Sequence, residues 1–418
     1  MNLRGRVGVW CLGVAMCMGA VMGVAAELAE ISVGIDGGDL RGSDGRALQA
    51  AVDYVAGLGG GTVRIGAGRY EMRNALILRD NVHVVGVPGE TTLVARDGLI
   101  SPLAADGDAN QWEITVADPT GFQVGDGVAI VDNNSGGFTD TTATLTARLD
   151  GNTFRISRPL YVDYMVSNNA RAKQAFPVVG GWQVKNASVE GLVIDGNRAK
   201  CESVGGCRAA GIYLFECEDI AIRNCVVADY DGDGISFQVS QRVTVEDCVS
   251  RGNAGLGIHP GSGSQHPTVR NNLSEGNGGD GLYVCWRVKH GVFENNTLVG
   301  NARDGISIGH KDTDNLFVGN EITGNSRSGI MFRGESEAMG AHRNVFEGNR
   351  IVDNGGGEHD AAILMRGHHH DVVFRGNTIG NSGESGDERV GIRHGEGVIR
   401  LDAGENEFVN VSAERVTD

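Results

Sequence analysis

From about Trp182 onward the hydrophobic positions come in short runs of three to five, separated by glycine and asparagine. A glycine followed by an aliphatic residue recurs at Gly211-Ile212, Gly234-Ile235, Gly257-Ile258, Gly281-Leu282, Gly305-Ile306 and Gly329-Ile330, at steps of 23, 23, 24, 24 and 24 residues. Asparagine keeps the same register. One column runs Asn272, Asn296, Asn320, Asn349, Asn377, Asn406; another runs Asn253, Asn277, Asn301, Asn325, Asn354 and continues through Asn381 and Asn410. Two helices per repeat need more than 24 residues, and the apolar spacing lacks a helical period. Short strands joined by glycine and asparagine turns fit. The pattern predicts an all-β solenoid whose coils stack at roughly 4.8 Å, so residues one period apart lie above one another. Buried asparagine amides would then bond from coil to coil, and the glycines would take turn conformations with positive φ.

The regularity breaks at about 106–180. Thr115–Val131, which contains GFQVGDGVAIV, and Leu149–Ser157 predict strands of an inserted β-rich lobe packed on the early coils. The expected division is a leader at 1–26, a cap and first coils at 27–105, the insert at 106–180 and regular coils at 181–418. The leader rests on Arg4 and Arg6, an apolar stretch from Val7 to about Val24, and a small-residue cleavage pattern at Val24 and Ala26. No later stretch is long and apolar enough to span a membrane. The mature chain is therefore expected to be secreted or periplasmic, without membrane insertion, and monomeric.

Composition sharpens this picture. The 418 residues hold 66 glycines but only 7 prolines, which suits folded turns better than a disordered linker. The formal charge is −17, which disfavours nucleic acid and anionic membranes as partners. Export permits disulfides. Cys201 and Cys207 flank a short loop and are expected to pair. Cys225 and Cys248 occupy the first asparagine column ahead of Asn272, so either a bridge or a pair of buried thiols fits there. No nucleophile elbow, phosphate loop or dinucleotide fingerprint is present.

The segment Ser43–Tyr70 (SDGRALQAAVDYVAGLGGGTVRIGAGRY) resembles the opening motif of pectate-lyase-like proteins. Together with the coils it makes the chain similar to the right-handed parallel β-helix superfamily that includes pectate lyases, alginate lyases and mannuronan C5-epimerases. The resemblance implies a right-handed parallel β-helix whose open end is capped by a short helix at about Arg46–Ala56. It also implies action on polysaccharides, often with calcium. Tyr230-Asp231-Gly232-Asp233 is similar to the Tyr-Gly-Xaa-Asp stretch of alginate epimerases, but the Asp-Pro-His-Glu continuation is absent. That departure lowers the epimerase reading.

Strand alternation projects one outward face. In each strand the aliphatic residue and the one two later point inward. Ser236, His259, Tyr283, Ser307 and Met331 point outward at the next position, followed by Gln238, Cys285 and Arg333, then Arg287, Lys311 and Glu335. His310, Trp286 and Lys289 lie beside them. This basic, aromatic-containing face on an acidic chain suits uronate chemistry. β-Elimination needs the C6 carboxylate neutralised, a base for the C5 proton and an acid for the leaving oxygen. The expected catalytic residues are Lys311 or His310 as base, Arg287 and Arg333 on the carboxylate, with His259 and Tyr283. Trp286, Gln238 and Lys289 would bind substrate, and Asp312 and Asp314 are the candidate calcium ligands. His368-His369-His370 reads as a polar loop, and Asp233, Asp280 and Asp304 as turn residues before glycine. The expected function is a polysaccharide lyase on an acidic glycan. A hydrolase or C5-epimerase on the same scaffold, or a non-catalytic glycan-binding surface protein, are the alternatives.

Overall fold

The computed structural model describes residues 28–355, 360–383 and 389–418; the expected leader lies outside them. Three sheets carry the architecture. An 11-stranded parallel sheet forms one wall of a right-handed β-helix, and a continuous 22-stranded sheet forms the others. Successive coils pair in strict register: Ile212, Ile235, Ile258, Leu282, Ile306, Ile330, Ile363 and Ile392 form one ladder, all buried. Phe293, Phe317, Phe346 and Phe374 form another, their rings stacked at 4.7, 4.4 and 4.7 Å. Such stacks arise because parallel coils place like residues one strand spacing apart.

The N-terminal end is closed by the helix Gly45–Gly57, which buries Leu48, Ala51, Val52 and Val55. Its N-cap is Asp44, whose carboxylate accepts the Arg46 amide at 3.0 Å. The helix covers apolar strand ends that water would otherwise reach.

The asparagine columns are hydrogen-bonded ladders. Each Oδ1 accepts both the backbone N–H and the Nδ2 of the asparagine one coil earlier. Asn296 Oδ1, for example, accepts Asn272 N at 3.1 Å and Asn272 Nδ2 at 2.9 Å. Each Nδ2 also reaches a carbonyl of the preceding coil. The second column runs this way to Asn354. Asn381 and Asn410 keep its place but change its chemistry, each Nδ2 donating to the other's backbone carbonyl at 3.1 Å.

The glycines that open the strands are required for space and not for positive φ. A Cβ on Gly257 would meet the Gly281 carbonyl oxygen at 2.6 Å, and one on Gly305 would meet that of Gly329 at 2.7 Å. Positive φ falls instead on turn columns. One of them contains no glycine: Asp219, Arg242, His266, His290, Asp314, Arg343, Asp371 and Arg400. Neighbours of opposite charge in it pair across coils, as in Arg242–Asp219 at 2.7 Å and Arg343–Asp314 at 2.6 Å.

The insert is a six-stranded antiparallel sheet with its own core, including Ile114, Phe122, Ile130, Leu145, Phe154 and Tyr164. The stretch expected as one strand at Thr115–Val131 is two, Glu113–Thr115 and Gly127–Val131, separated by a turn after Pro119. Arg208 ties the lobe to the coils: its guanidinium lies 4.3 Å from the Tyr161 ring centroid, 5.1 Å from Phe138 and 5.8 Å from Phe215.

The expected Cys201–Cys207 bridge is corrected, and of the two alternatives for Cys225 and Cys248 the structure has the buried thiols. All six described cysteines are free thiols. Cys201 Sγ turns to the Arg96 carbonyl at 3.3 Å, away from Cys207. Cys225 and Cys248 bond to carbonyls of their own coils, at 3.2 Å each. His369 is likewise no loop residue. It is buried, its Nδ1 accepting the Ala341 amide at 2.9 Å.

Candidate active site

The outward face of the 11-stranded sheet is only partly open. At its early end the loop carrying Cys207 and Arg208 folds over it, and Ser236 Oγ donates to the Gly206 carbonyl at 2.7 Å. Gln238 is therefore fully buried, its Nε2 bonded to Ser236 Oγ at 2.9 Å. Its expected role as a surface contact to substrate is overturned by this cover.

Beyond the cover, a buried crest separates two hollows. The crest begins at Asp233, whose Oδ2 lies 2.8 Å from His259 Nδ1 while its Oδ1 accepts the Leu256 amide at 2.9 Å. The carboxylate fixes the imidazole with Nδ1 as donor, leaving Nε2 as the basic nitrogen. Tyr283 meets His259 edge-on at 5.2 Å between centroids. The Arg333 guanidinium sits 4.5 Å above the Tyr283 ring. Burial pushes the Tyr283 phenol up, so it stays protonated.

The hollow at the C-terminal end of the strands encloses about 500 Å³ between the lobe tip and the coils. His259, Cys285, Trp286 and Arg287 line one side, and Phe138, Cys207 and Phe215 the other. Trp286 is 44% exposed and packs on His310 at 5.0 Å. His310 is half-buried, with Nε2 2.9 Å from Glu335 Oε1 and Nδ1 3.7 Å from Cys285 Sγ. Burial and Arg333 lower its pKa, against the pull of Glu335. Lys311 is exposed on the adjoining turn, held by its amide to the Met339 carbonyl at 2.7 Å. Trp286, Arg287, His310 and Lys311 all adopt positive φ, between 47° and 69°. That backbone swings their side chains to the rim.

Arg333 is not free to clamp a ligand from above. It spans the crest, donating to Ser307 Oγ at 2.9 Å, the Val284 carbonyl at 2.7 Å and Asp312 Oδ2 at 3.2 Å. Lys289 lines neither hollow; it belongs to a bridge row with Gln265 and Thr313.

The two candidate calcium ligands are turned to separate tasks. Asp312 is fully buried, accepting the Val288 amide at 2.9 Å and the Gly309 amide at 3.2 Å besides Arg333. Burial pushes its carboxyl up to about 7, with Arg333 opposing. Asp314 is paired with Arg343 at 2.6 and 2.8 Å and with the Thr313 hydroxyl at 2.6 Å, which hold it at about 2. Every carboxylate oxygen is thus engaged by a protein donor. The expected calcium site is corrected on this ground: the donor set is spent, and the two side chains do not converge.

The second hollow, about 580 Å³, lies at the N-terminal end of the same strands. Asp280, Tyr283, Arg303, Asp304, Ser307, Arg327, Arg333 and Arg366 line it. Its floor is a carboxylate ladder, in which Asp280 Oδ1 accepts the Asp304 amide at 2.9 Å and Asp304 Oδ1 accepts the Ser328 amide at 3.0 Å. Burial and the neighbouring Asp280 push the Asp304 carboxyl up to about 7.

Asp233, Asp304, Arg303, Arg327 and Arg366 were not among the expected site residues; Arg333 was. Asp-Gly is an ordinary turn dipeptide, and Asp233 is 26 residues from His259. The recurrence of aspartate before glycine was the available signal, and it points to a structural ladder that also faces the groove.

Solved structures of similar shape are distant in sequence. The A-module of mannuronan C-5 epimerase AlgE4 from Azotobacter vinelandii is 16% identical over 92% of this chain and 97% of that one, with a TM-score of 0.57. The A-module of AlgE6 from the same organism gives 17%, 88%, 94% and 0.55. PfbA, a surface adhesin of Streptococcus pneumoniae, gives 12%, 93%, 93% and 0.50. At these identities the likeness is one of fold. No curated protein matches the chain. The family described as right handed beta helix region matches residues 179–338 and 275–412, and the chain belongs to it.

Proposed function

We propose that this protein is an exported polysaccharide lyase that cleaves an acidic, uronate-containing glycan by β-elimination along the groove beside His259. The observation that carries the reading is the crest itself. A histidine fixed by a buried aspartate at 2.8 Å stands against a tyrosine held protonated by burial, with cations on both sides. His259 Nε2 takes the C5 proton, and Tyr283 supplies a proton to the leaving oxygen. Arg287 and Lys311 at the rim neutralise the C6 carboxylate, which acidifies the C5 proton. Trp286 offers an exposed ring face for sugar stacking. The base assigned is thus His259 and not Lys311 or His310, because Lys311 stands in solvent and His310 is tied to Glu335.

Two features support a polysaccharide as the substrate: two hollows with arginines in their walls along one sheet face, and a scaffold shared with mannuronan C-5 epimerases. Epimerisation shares the proton-abstraction step, so product chemistry separates the two. A hydrolase is the second reading, favoured by the two aspartates facing one hollow with Asp304 at about 7.

The experiment is a screen of purified protein against pectin, alginate, glycosaminoglycans and neutral glycans, with and without chelator. A lyase generates an unsaturated uronyl product with ultraviolet absorbance. A hydrolase gives reducing ends without it, an epimerase alters sugar composition at constant chain length, and a binder releases nothing. His259→Ala is expected to lower turnover by about 10²–10⁴-fold. Unchanged turnover in both His259→Ala and Tyr283→Phe would rule out this assignment.

A further inference from the structure

Arginine on this surface is usually spoken for. Arg242, Arg270, Arg343, Arg375 and Arg400 each bond a carboxylate of a neighbouring coil at 2.5–2.8 Å. The hollow above Asp280 and Asp304 departs from this habit. Arg327 and Arg366 line it with no side-chain hydrogen bond to any described residue, and Arg303 stands off Asp280 at 3.9 Å. Arg333 closes the wall from the crest side. Four arginines from three successive coils, Arg327 and Arg333 sharing one, therefore face one space of about 580 Å³ in a chain whose net charge is −17. Arg333 is countered by Asp312, but Arg327 and Arg366 have no bonded counterion among the described residues; like charges gathered in this way cost stability unless an anion joins them, and guanidinium groups suit a planar carboxylate.

We propose that this hollow is a subsite for a second carboxylate of the same glycan, on a uronate some sugars away from the bond that is broken. The inference rests on the lyase reading for the identity of the glycan, but its geometry is separate. Asp280 lies five residues before Cys285 on the same coil, about 16 Å along an extended strand. A chain lying across the crest past His259 would thus enter both hollows. Binding then requires charge at repeated positions along the polymer, so the preferred substrate is a polyuronate and not a neutral glycan with a single acidic branch.

The floor sets a condition on this subsite. Among the described residues, Asp304 and Asp280 are the carboxylates facing it, and Arg303, Arg327, Arg333 and Arg366 are the cations. When Asp304 is protonated the hollow carries more net positive charge and accepts an anion better. Asn at this position would mimic the protonated form.

The test is calorimetric titration of the whole protein with sized oligouronates, galacturonate and mannuronate series from dimer to octamer, beside neutral oligomers of equal length. Wild type is expected to gain affinity by about tenfold or more at the length that spans both hollows. The Arg327→Ala/Arg366→Ala double variant, whose exchanged side chains hold nothing in place, should lose that gain while keeping its affinity for dimers. Asp304→Asn should bind the long oligomers at least as tightly as wild type, and weaker binding of them by this variant overturns the condition set by the floor. Length-independent affinity, an unaltered gain in the double variant, or equal binding of neutral oligomers overturns the subsite. A length-dependent gain without an unsaturated product leaves the subsite standing and removes the lyase.

Discussion

Exchanging Asn296 for aspartate should destabilise the protein more than removing its side chain. Asn296 is buried and makes four side-chain bonds. Its Oδ1 accepts Asn272 N and Asn272 Nδ2, and its Nδ2 donates to Asn320 Oδ1 at 3.0 Å and to the Val269 carbonyl at 2.9 Å. Alanine at this position orphans the Asn272 amide, while Asn272 Nδ2 keeps the Val245 carbonyl and Asn320 Oδ1 keeps the Asn296 amide. One buried donor without a partner costs about 1–3 kcal/mol, and the lost bonds bring the total to about 2–4 kcal/mol. Aspartate restores the acceptor but sets an oxygen without a proton against two oxygens at about 3 Å. Ionised, it adds an unpaired buried charge and should cost about 3–5 kcal/mol; protonated, it regains one donor. The urea midpoint should therefore fall in the order wild type, Asn296→Ala, Asn296→Asp at pH 7, and the aspartate variant should recover towards pH 4. Amide exchange at Asn272 should quicken in the alanine variant. An aspartate variant within 1 kcal/mol of wild type at pH 7, by the same linear extrapolation, would refute the ladder as drawn.

Further expectations follow from the same coordinates. Phe317→Ala opens a cavity between rings at 4.7 and 4.4 Å on either side and should cost about 3–5 kcal/mol in chemical denaturation. Gly305→Ala places a Cβ 2.7 Å from the Gly329 carbonyl oxygen and should cost about 1–3 kcal/mol despite an ordinary φ; a neutral result would return these glycines to a turn-forming role. Asp304 is raised in the folded state to about 7 from 3.8. Its contribution is full below pH 4 and lost as pH rises to 7, on the order of 4 kcal/mol at most. Asp304→Asn should flatten that part of the stability–pH profile, and an unchanged slope would place the titration elsewhere.

The solenoid could be read from the chain because its signal repeats. Any one glycine or asparagine is ambiguous, but asparagines at a constant offset demand a common environment, and Asn272 through Asn406 share one. Tyr283 was also legible, since alternation along a strand fixes which side chains share a face; Trp286, Arg287 and His310 lie past the strand ends, where positive φ and not alternation turns them to the rim. Gln238 was misplaced because its cover comes from a loop near Gly206, and nothing in a strand's pattern reports what lies on top of it. Asp233 was passed over because its link to His259 runs diagonally between coils. Arg327 escaped notice because it precedes the strand Ile330–Glu335, off the alternating pattern, and Arg366 because its strand, Ala361–Gly367, lies one coil past the last glycine–aliphatic repeat.

The asparagine ladder has a direction. Every asparagine-to-asparagine bond runs from a donor to the Oδ1 of the following coil, while the second Nδ2 hydrogen reaches back to a carbonyl of the preceding one, so any interior rung presents the same interface above and below. A whole coil can therefore be taken out or duplicated without leaving a rung mismatched, provided that the cut falls one full period apart. The length of the groove is then a countable quantity, set by how many turns the gene encodes. Adding or removing a coil would lengthen or shorten the outward face in single steps while the Asp233–His259 pair stays where it is.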